Sequence, residues 1–245
     1  MSNKLTVIKL NAIDSTNSFL KQQTKQTFVG NFTLVYTVEQ TAGRGQMGAT
    51  WLAEAGKSLT FSLLVRKPVE KFEHDFEFQM LVSVAIHQSL NKFGLASEIK
   101  WPNDIMAGGR KLGGILIEQL NDNQGNPTFI VGIGINVKQS NFNELPSATS
   151  LLLNGVDIED DTVLMLEIRD QIIELFENSN AESQAIIRTK YLSVLMKYQK
   201  PAVYQVNNHL FNALILGVSP EGKLVLKHEN DEIRAYGIKE VKMMY

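Results

Sequence analysis

The sequence contains no cysteine, which excludes disulfide bonds, thiolate metal ligands and a cysteine nucleophile. It has no basic excess either, because 24 lysines and arginines against 26 aspartates and glutamates give a net charge of -2. Proteins dedicated to nucleic acid normally carry a basic surface, so we expect no nucleic-acid partner. No apolar run approaches the roughly 18 residues of a membrane span, and residues 1–11 lack signal-peptide features. These absences predict a cytoplasmic protein with no membrane partner.

The remaining composition is that of a globular protein, with 44% hydrophobic residues in 245, enough for a full core. Apolar runs at residues 5–10, 32–38 and 59–65 predict strands, and an apolar stripe over 75–93 predicts a long helix. A short helix is expected to begin at the polar residues 14–17 and to end near residue 21.

Three further strands are predicted at residues 99–101, 112–120 and 129–137, followed by two amphipathic helices. From residue 202 onward, short alternating runs with tight turns predict a small β-barrel. We therefore predict an α+β fold in which residues 1–197 form a mixed sheet with helices mainly on one side. Residues 198–245 are expected to form the second, smaller domain.

The glycine-rich loop, residues 43–51, is the most informative segment. Its glycines let backbone N–H groups approach an anionic ligand closely, and Arg44 adds a fixed positive charge. Trp51 offers a flat face that can stack on a purine. This combination of residue types suits an acyl-adenylate.

Four other motifs occur along the chain, and each alone has a structural explanation as a helix cap, a turn or a closely packed strand. As a set, in this order and at strand ends, they require a functional explanation. The motifs are Ser15-Thr16-Asn17 followed by Gln40, Lys100-Trp101-Pro102-Asn103-Asp104, Lys111-Leu112-Gly113-Gly114 with residues 115–118, and Gly132-Ile133-Gly134-Ile135-Asn136.

With the glycine-rich loop, these motifs resemble the biotin protein ligases over essentially the whole chain. The resemblance implies a catalytic core similar to that of class II aminoacyl-tRNA synthetases and a C-terminal barrel similar to SH3 domains. It also implies ATP with Mg²⁺ and biotin as substrates, biotinyl-5'-AMP as the intermediate, and a biotin carboxyl carrier protein or domain as the partner. Since no stretch before residue 5 has room for a winged helix, we expect the monofunctional form.

The resemblance makes Lys111 and Arg44 the expected catalytic residues. An ammonium at Lys111 can contact both the carboxylate and the α-phosphate and stabilise charge in the transition state. Lys100 is expected near the phosphates. Asp104 is expected either to organise this strand end or to lie near a hydrated Mg²⁺ without direct metal ligation. The expected nucleotide-binding residues are Trp51, Lys100, Asn103, Asp104 and Asn136.

For biotin, discrimination of the ureido ring requires matched polar groups in an otherwise apolar pocket. Small residues leave room for the ring and the chain. The expected biotin-binding residues are Ser15, Thr16, Asn17, Gln40, Gly43, Arg44, Gly45, Gln46, Lys111, Gly114 and Gly132.

The loop departs from many bacterial relatives, because Gln46 and Ala49 stand where those have arginines. This predicts a looser hold on the adenylate unless Arg66 or Arg110 compensates. Two other functions remain as alternatives: a lipoate or octanoate ligase, and a biotin-binding sensor without transfer chemistry. The expected oligomeric state is a monomer or a weak homodimer that pairs through an edge strand.

Overall fold

A computed structural model describes residues 5–66, 72–142 and 145–244, so the outermost residues of the two predicted domains lie outside it. Its main sheet has seven strands in the order β1-β2-β3-β7-β6-β5-β4, in which only the β1–β2 pair is parallel. The predicted mixed sheet is therefore confirmed. Its strands are β1 (Val7–Ile13), β2 (Leu34–Gln40), β3 (Ser58–Arg66), β4 (Glu98–Lys100), β5 (Asp104–Ala107), β6 (Arg110–Asn121) and β7 (Pro127–Asn136).

The four α-helices are α1 (Thr16–Gln26), α2 (Asp75–Lys92), α3 (Asp161–Glu177) and α4 (Ala181–Ser193). Helices α2 and α3 share the main hydrophobic core with one face of the sheet, whereas Leu20 of α1 packs on the opposite face with Val35, Leu64 and Ile130. Strand β3 is buried on both faces, so its polar residues Ser58, Thr60 and Ser62 are buried as well as its apolar ones. Helix α1 thereby places its N-terminus at the end of β1 and β2.

A second sheet of five antiparallel strands forms the C-terminal β domain, in the order β11-β10-β9-β8-β12. Asn207 and Asn208 both have positive φ, as the tight hairpin between β8 and β9 requires. The domain boundary near residue 197 stays a prediction. The strands are β8 (Pro201–Val206), β9 (His209–Val218), β10 (Leu224–His228), β11 (Ile233–Tyr236) and β12 (Lys242–Met244).

The β domain docks on the main-sheet domain through the turn before β10. The buried indole of Trp101 donates a hydrogen bond to the carbonyl of Gly222 at 2.9 Å. Gly222 has φ +84°, and a Cβ there would lie 2.6 Å from the ring of Phe76, so glycine is required for this close approach. Arg188 of α4 donates to the carbonyl of Val218 on the same side. The two sheets are thus tied together beside the Lys100–Asp104 motif.

Two short strands, β5 and β12, were not expected from the sequence, and α1 extends to Gln26 rather than ending near residue 21. Within the described residues, none of the helices combines the length and apolar character needed to cross a bilayer.

Candidate active site

One cavity of about 220 Å³ collects residues from every motif singled out in the sequence. It lies between the N-terminus of α1, the glycine-rich loop, the middle of β6 and β7, and the turn before β5. The sequence-predicted residues that line it are Ser15, Thr16, Asn17, Gln40, Arg44, Gly45, Gln46, Trp51, Asn103, Asp104, Lys111, Gly114 and Gly132. Three predicted residues, Gly43, Lys100 and Asn136, lie outside its lining.

A polar cluster at the cavity consists of Thr16, Asn17 and Gln40, which line it, and of the fully buried Ser62, which contacts two of them. Parallel pairing of Ile13 with Gln40 brings the start of α1 against the end of β2, where Gln40 Oε1 accepts from the Thr16 backbone N–H at 3.0 Å. Ser62 Oγ donates to Asn17 Oδ1 at 2.6 Å and lies 2.7 Å from Thr16 Oγ1. The cluster is therefore internally ordered, which fixes the directions of its polar atoms.

Asn17 connects this cluster to strands β6 and β7. Its Nδ2 donates to Glu118 Oε2 at 2.9 Å and to the Leu116 carbonyl at 3.3 Å. The side-chain amide lies directly over Gly132, where a Cβ would come within 2.4 Å of Asn17 Oδ1. Gly132 therefore provides the space that Asn17, rather than a ligand, occupies.

Glu118 holds the base of the glycine-rich loop. Its carboxylate pairs with Lys21 at 2.9 Å and with Arg44 Nη2 at 3.1 Å. Burial would raise the pKa of Glu118, but hydrogen bonds from Lys21 and Asn17 and the charge of Arg44 outweigh it and lower that pKa. Glu118 is thus a carboxylate that links the loop arginine to the polar cluster.

The glycine-rich loop folds back on itself as a tight hairpin. The Gly45 N–H donates to the Ala49 carbonyl at 2.7 Å, and the Trp51 N–H donates to the Gly43 carbonyl at 3.0 Å. Between them, residues 46–48 form a 3-10 turn in which Met47 has φ 55°. This turn covers one side of the cavity.

Trp51 lies across β7 at the exit of the loop. A Cβ on Gly134 would come within 2.5 Å of the indole, so glycine at this position allows the ring to lie flat against the strand. The indole Nε1 is buried and, among the described residues, has no hydrogen-bond partner. The expected stacking of this ring on a purine stays a prediction.

Lys111 and Lys100 share one carboxylate. Asp104 Oδ1 lies 2.6 Å from Lys111 Nζ, and its Oδ2 lies 3.4 Å from Lys100 Nζ. A β-bulge between Ile105 and Met106 shifts the β5–β6 register beside this pair. The three charged groups therefore lie together, and two of them, Asp104 and Lys111, line the cavity.

The two asparagines assigned to the nucleotide have different surroundings. Asn103 lines the cavity and donates to the Ile115 carbonyl at 2.8 Å. Asn136 is buried, donates to the Thr149 carbonyl at 3.0 Å and accepts from Ser58 at 3.3 Å. Asn136 thus holds the loop before residue 150 against the strand end, and a role in nucleotide binding stays a prediction.

No group of three or more histidine, cysteine, aspartate or glutamate side chains in the described part of the chain is placed to hold a metal ion. Asp104, the residue considered for Mg²⁺, has its two oxygens engaged by lysines. These contacts fit indirect contact with a hydrated ion better than direct ligation.

Sequence reasoning missed three residues of this site: Ser62, Glu118 and Lys239. Ser62 belongs to a row of alternating polar residues in β3, with Ser58 and Thr60, and a buried polar row is a usable signal. Glu118 lay within a recognised motif but received no role. Lys239 comes from the β domain, and its approach to the cavity depends on domain docking, for which the sequence gives no local sign.

Arg66, considered as a compensating cation, binds Asp122 and the Val29 carbonyl instead and does not line the cavity.

Comparisons with known proteins agree with this architecture. The model of the biotin/lipoate A/B protein ligase family matches residues 10–137. The bifunctional ligase/repressor BirA of Bacillus subtilis is 39% identical over 110 residues, which are 44% of this chain and 33% of that protein. A Mycobacterium tuberculosis protein named as a ligase of biotin and acetyl-CoA carboxylase is 32% identical over 166 residues, 63% of this chain and 59% of the relative.

Among solved structures, the biotin protein ligase of Aquifex aeolicus in complex with biotin and ATP superposes with a TM-score of 0.78 at 25% identity, covering 98% of both chains. The chain thus spans only a third of the Bacillus relative but nearly all of the Aquifex structure. The family match covers the strands, the loop and the glycines that build the cavity. The chain belongs to the biotin/lipoate A/B protein ligase family.

Proposed function

We propose that this protein is an ATP-dependent ligase that converts biotin to biotinyl-5'-AMP and transfers the biotinyl group to a lysine of a carrier protein. The observation that carries the proposal is the layout of one cavity. It is lined both by the ordered polar residues Thr16, Asn17 and Gln40 and by the cations Lys111 and Arg44.

The polar cluster matches the chemistry of the ureido ring, which has two N–H donors and one carbonyl acceptor. Thr16 and Gln40 offer hydroxyl and amide groups, and Ser62 and Glu118 fix the orientation of the Asn17 amide. A polar site left unpaired by the wrong ligand costs binding energy, which favours a ureido ring over a purely apolar acyl chain. This argument supports biotin rather than lipoate or octanoate.

In the first step, a biotin carboxylate oxygen attacks the α-phosphorus of ATP. A new oxygen–phosphorus bond forms, the bond to the bridging oxygen of pyrophosphate breaks, and pyrophosphate leaves with its electron pair. Lys111 stabilises the negative charge that gathers on the α-phosphate, and Arg44 orients the carboxylate. When bound, Mg²⁺ would offset the negative charge of the phosphate oxygens of ATP, and Asp104 is the residue that would hold it, through water.

In the second step, a neutral lysine amine of the acceptor attacks the acyl carbon of the mixed anhydride, and AMP is the leaving group. A carbon–nitrogen bond forms, the bond from the acyl carbon to the phosphate oxygen breaks, AMP takes its electron pair, and the proton of the amine passes to solvent. Exclusion of water by the glycine-rich loop prevents hydrolysis of the anhydride. The name of the Mycobacterium relative supports the biotin carrier domain of a carboxylase such as acetyl-CoA carboxylase as the acceptor.

The same proposal retains a cytoplasmic location, which suits a chain without cysteine. It includes no nucleic-acid partner, given the charge of -2, and a monomer or weak homodimer as the working state.

The decisive experiment is mass-spectrometric detection of acyl-adenylate after the purified protein is mixed with MgATP and biotin, lipoate or octanoate. We expect an adenylate with biotin only, lost in Lys111→Ala and retained in Lys25→Ala, which alters an exposed lysine of α1. An adenylate with lipoate would reassign the substrate. No adenylate with any acid would refute the proposal.

The transfer step has its own measurement. Incubation with an apo carrier domain, biotin and MgATP should add one biotinyl group to the carrier. Replacement of the acceptor lysine by arginine in that carrier should abolish the mass increase. Adenylate formation without transfer to any carrier would favour a sensor instead.

A further inference from the structure

Lys239 reaches the cavity from the β domain rather than from the main sheet. Its Nζ donates a hydrogen bond to the Met47 carbonyl at 2.7 Å, joining residues 192 positions apart in the chain. Lys239 and its neighbour Ile238 both line the cavity. The β domain therefore contributes directly to the wall of the active site.

The position of Lys239 is fixed by its own turn. Glu240 Oε2 accepts from the Gly237 N–H at 2.6 Å, and the Glu240 N–H donates to the Gly237 carbonyl at 3.1 Å. This turn directly follows β11, and the β domain is anchored to the core by the Trp101–Gly222 hydrogen bond. The lysine backbone is thus held by the framework of the protein while its side chain extends to the loop.

The glycine-rich loop has two ends that need anchoring. Its base is held by the Arg44–Glu118 ion pair. Its tip is the 3-10 turn around Met47, whose side chain is 57% exposed and so contributes little packing. The bond from Lys239 attaches this tip to the rest of the molecule.

Backbone conformation marks the same contact. Met47 has φ 55° and Lys239 has φ 69°, so both partners adopt the left-handed region that side chains disfavour. Such conformations persist only where the surroundings impose them, and they concentrate at functional sites. Because two residues in this conformation are joined by one hydrogen bond, we infer that the fold maintains the contact between Lys239 and Met47.

The charge of Lys239 also differs from that of the other cations at the cavity. Arg44 is paired with Glu118 and Lys111 with Asp104, whereas Lys239 forms no ion pair within residues 5–66, 72–142 and 145–244. The loop tip itself, residues 46–49, carries no charge. Lys239 therefore supplies positive charge beside the part of the loop that has none.

We propose that Lys239 is a positioning residue that holds the glycine-rich loop over the cavity and thereby slows escape of the acyl-adenylate. The inference rests on the proposed function for the nature of the ligand. Its structural content is independent of the reaction, because the Lys239–Met47 contact belongs to the protein alone.

The first test measures hydrogen exchange of the loop in the full-length protein without ligand. The amides of Gly45, Ala49 and Trp51 form the internal bonds of the hairpin and report its opening. In Lys239→Met we expect these amides to exchange roughly two- to tenfold faster, the effect of losing one hydrogen bond. Lys239→Arg, which retains a donor, should restore slow exchange.

The matched control is Lys242→Met, which replaces an exposed lysine of the same β domain that does not line the cavity. It should exchange like the wild type. Equal loop exchange in Lys239→Met and wild type would overturn the proposal.

The second test measures release of biotinyl-adenylate from the enzyme after removal of free biotin and ATP. Lys239→Met should release the intermediate several-fold faster while adenylate formation changes less, and Lys239→Arg should recover retention. If the wild type makes no adenylate, the proposed function fails, and the exchange measurement still decides the role of Lys239. Faster loop exchange with unchanged release would refute the retention role.

Discussion

Replacement of Gly132 by alanine tests whether the polar cluster is as tightly built as the structure indicates. A Cβ at this position would lie 2.4 Å from Asn17 Oδ1, 2.9 Å from its Cγ and 3.1 Å from its Nδ2. The amide cannot retreat freely, because Ser62, Glu118 and the Leu116 carbonyl hold it by hydrogen bonds. Gly132→Ala must therefore displace the whole side chain of Asn17.

The cost follows from the contacts that are lost. Overpacking of a well-packed site typically costs about 1–3 kcal/mol. Loss of one or two of the Asn17 hydrogen bonds adds about 1 kcal/mol each. We expect a total near 2–5 kcal/mol, which lowers Tm by roughly 4–20 °C in a protein of this size. Biotin affinity should fall at least about tenfold, because displacement of Asn17 also disturbs Thr16 and Gln40.

The assays are scanning calorimetry for stability and titration calorimetry for biotin binding. Gly114→Ala is the matched control, since its Cβ would lie 3.6 Å from Lys111 Nζ, an ordinary contact distance, and should change Tm by less than about 2 °C. In an Asn17→Ala background, Gly132→Ala should lose most of its destabilising effect. An unchanged Tm and biotin affinity in Gly132→Ala would refute the reasoning.

Four further substitutions test ionisable groups. Glu118→Gln should weaken the contact that holds Arg44 and so speed release of the adenylate. Because the pKa of Glu118 is lowered, the wild-type protein should release the adenylate at a constant rate from pH 8 to about 5, and release rates measured across that range check this. Lys100→Ala should raise the KM for ATP more than it lowers kcat, whereas Lys111→Ala should mainly lower kcat, which steady-state kinetics will distinguish. Burial lowers the pKa of His87, so the unfolded chain takes up a proton at a higher pH than the folded protein does. The free energy of unfolding should therefore fall as the pH drops through about 6.5. His87→Gln should reduce this pH dependence, as measured by urea titrations at pH 7.5 and 5.5.

Strong periodicity made the long elements predictable from sequence. The helix expected over residues 75–93 occurs as α2 (Asp75–Lys92), and the strand expected over 129–137 occurs as β7 (Pro127–Asn136). Two features that the sequence did not predict correctly, β5 and the end of α1, lack a local signal. Strand β5 has only four residues and begins inside a segment with turn residues, and the last turns of α1 are polar, so neither shows an apolar repeat.

Motif residues were easier to predict than the contacts that organise them. The sequence identified Arg44, Asn17 and Lys111 from their types and order, and the structure brings all three to one cavity. Their partners Glu118 and Asp104 come from other strands, and register decides which carboxylate meets which cation. Lys239 is harder to predict than these carboxylates, because its position depends on how the β domain docks on the main-sheet domain.

These pairings change what the cations contribute to the proposed reaction. Arg44 and Lys111 each contact a carboxylate of the protein, so an anionic substrate must replace one ion pair by another. The net gain in ground-state binding from such an exchange is small, because one favourable contact is lost as the other forms. Charge that develops in the transition state strengthens the attraction of the substrate in this exchange, whereas the protein carboxylates stay the same. Affinity for biotin should therefore come mainly from the polar cluster, and the two cations should act mainly on the rate of adenylate formation.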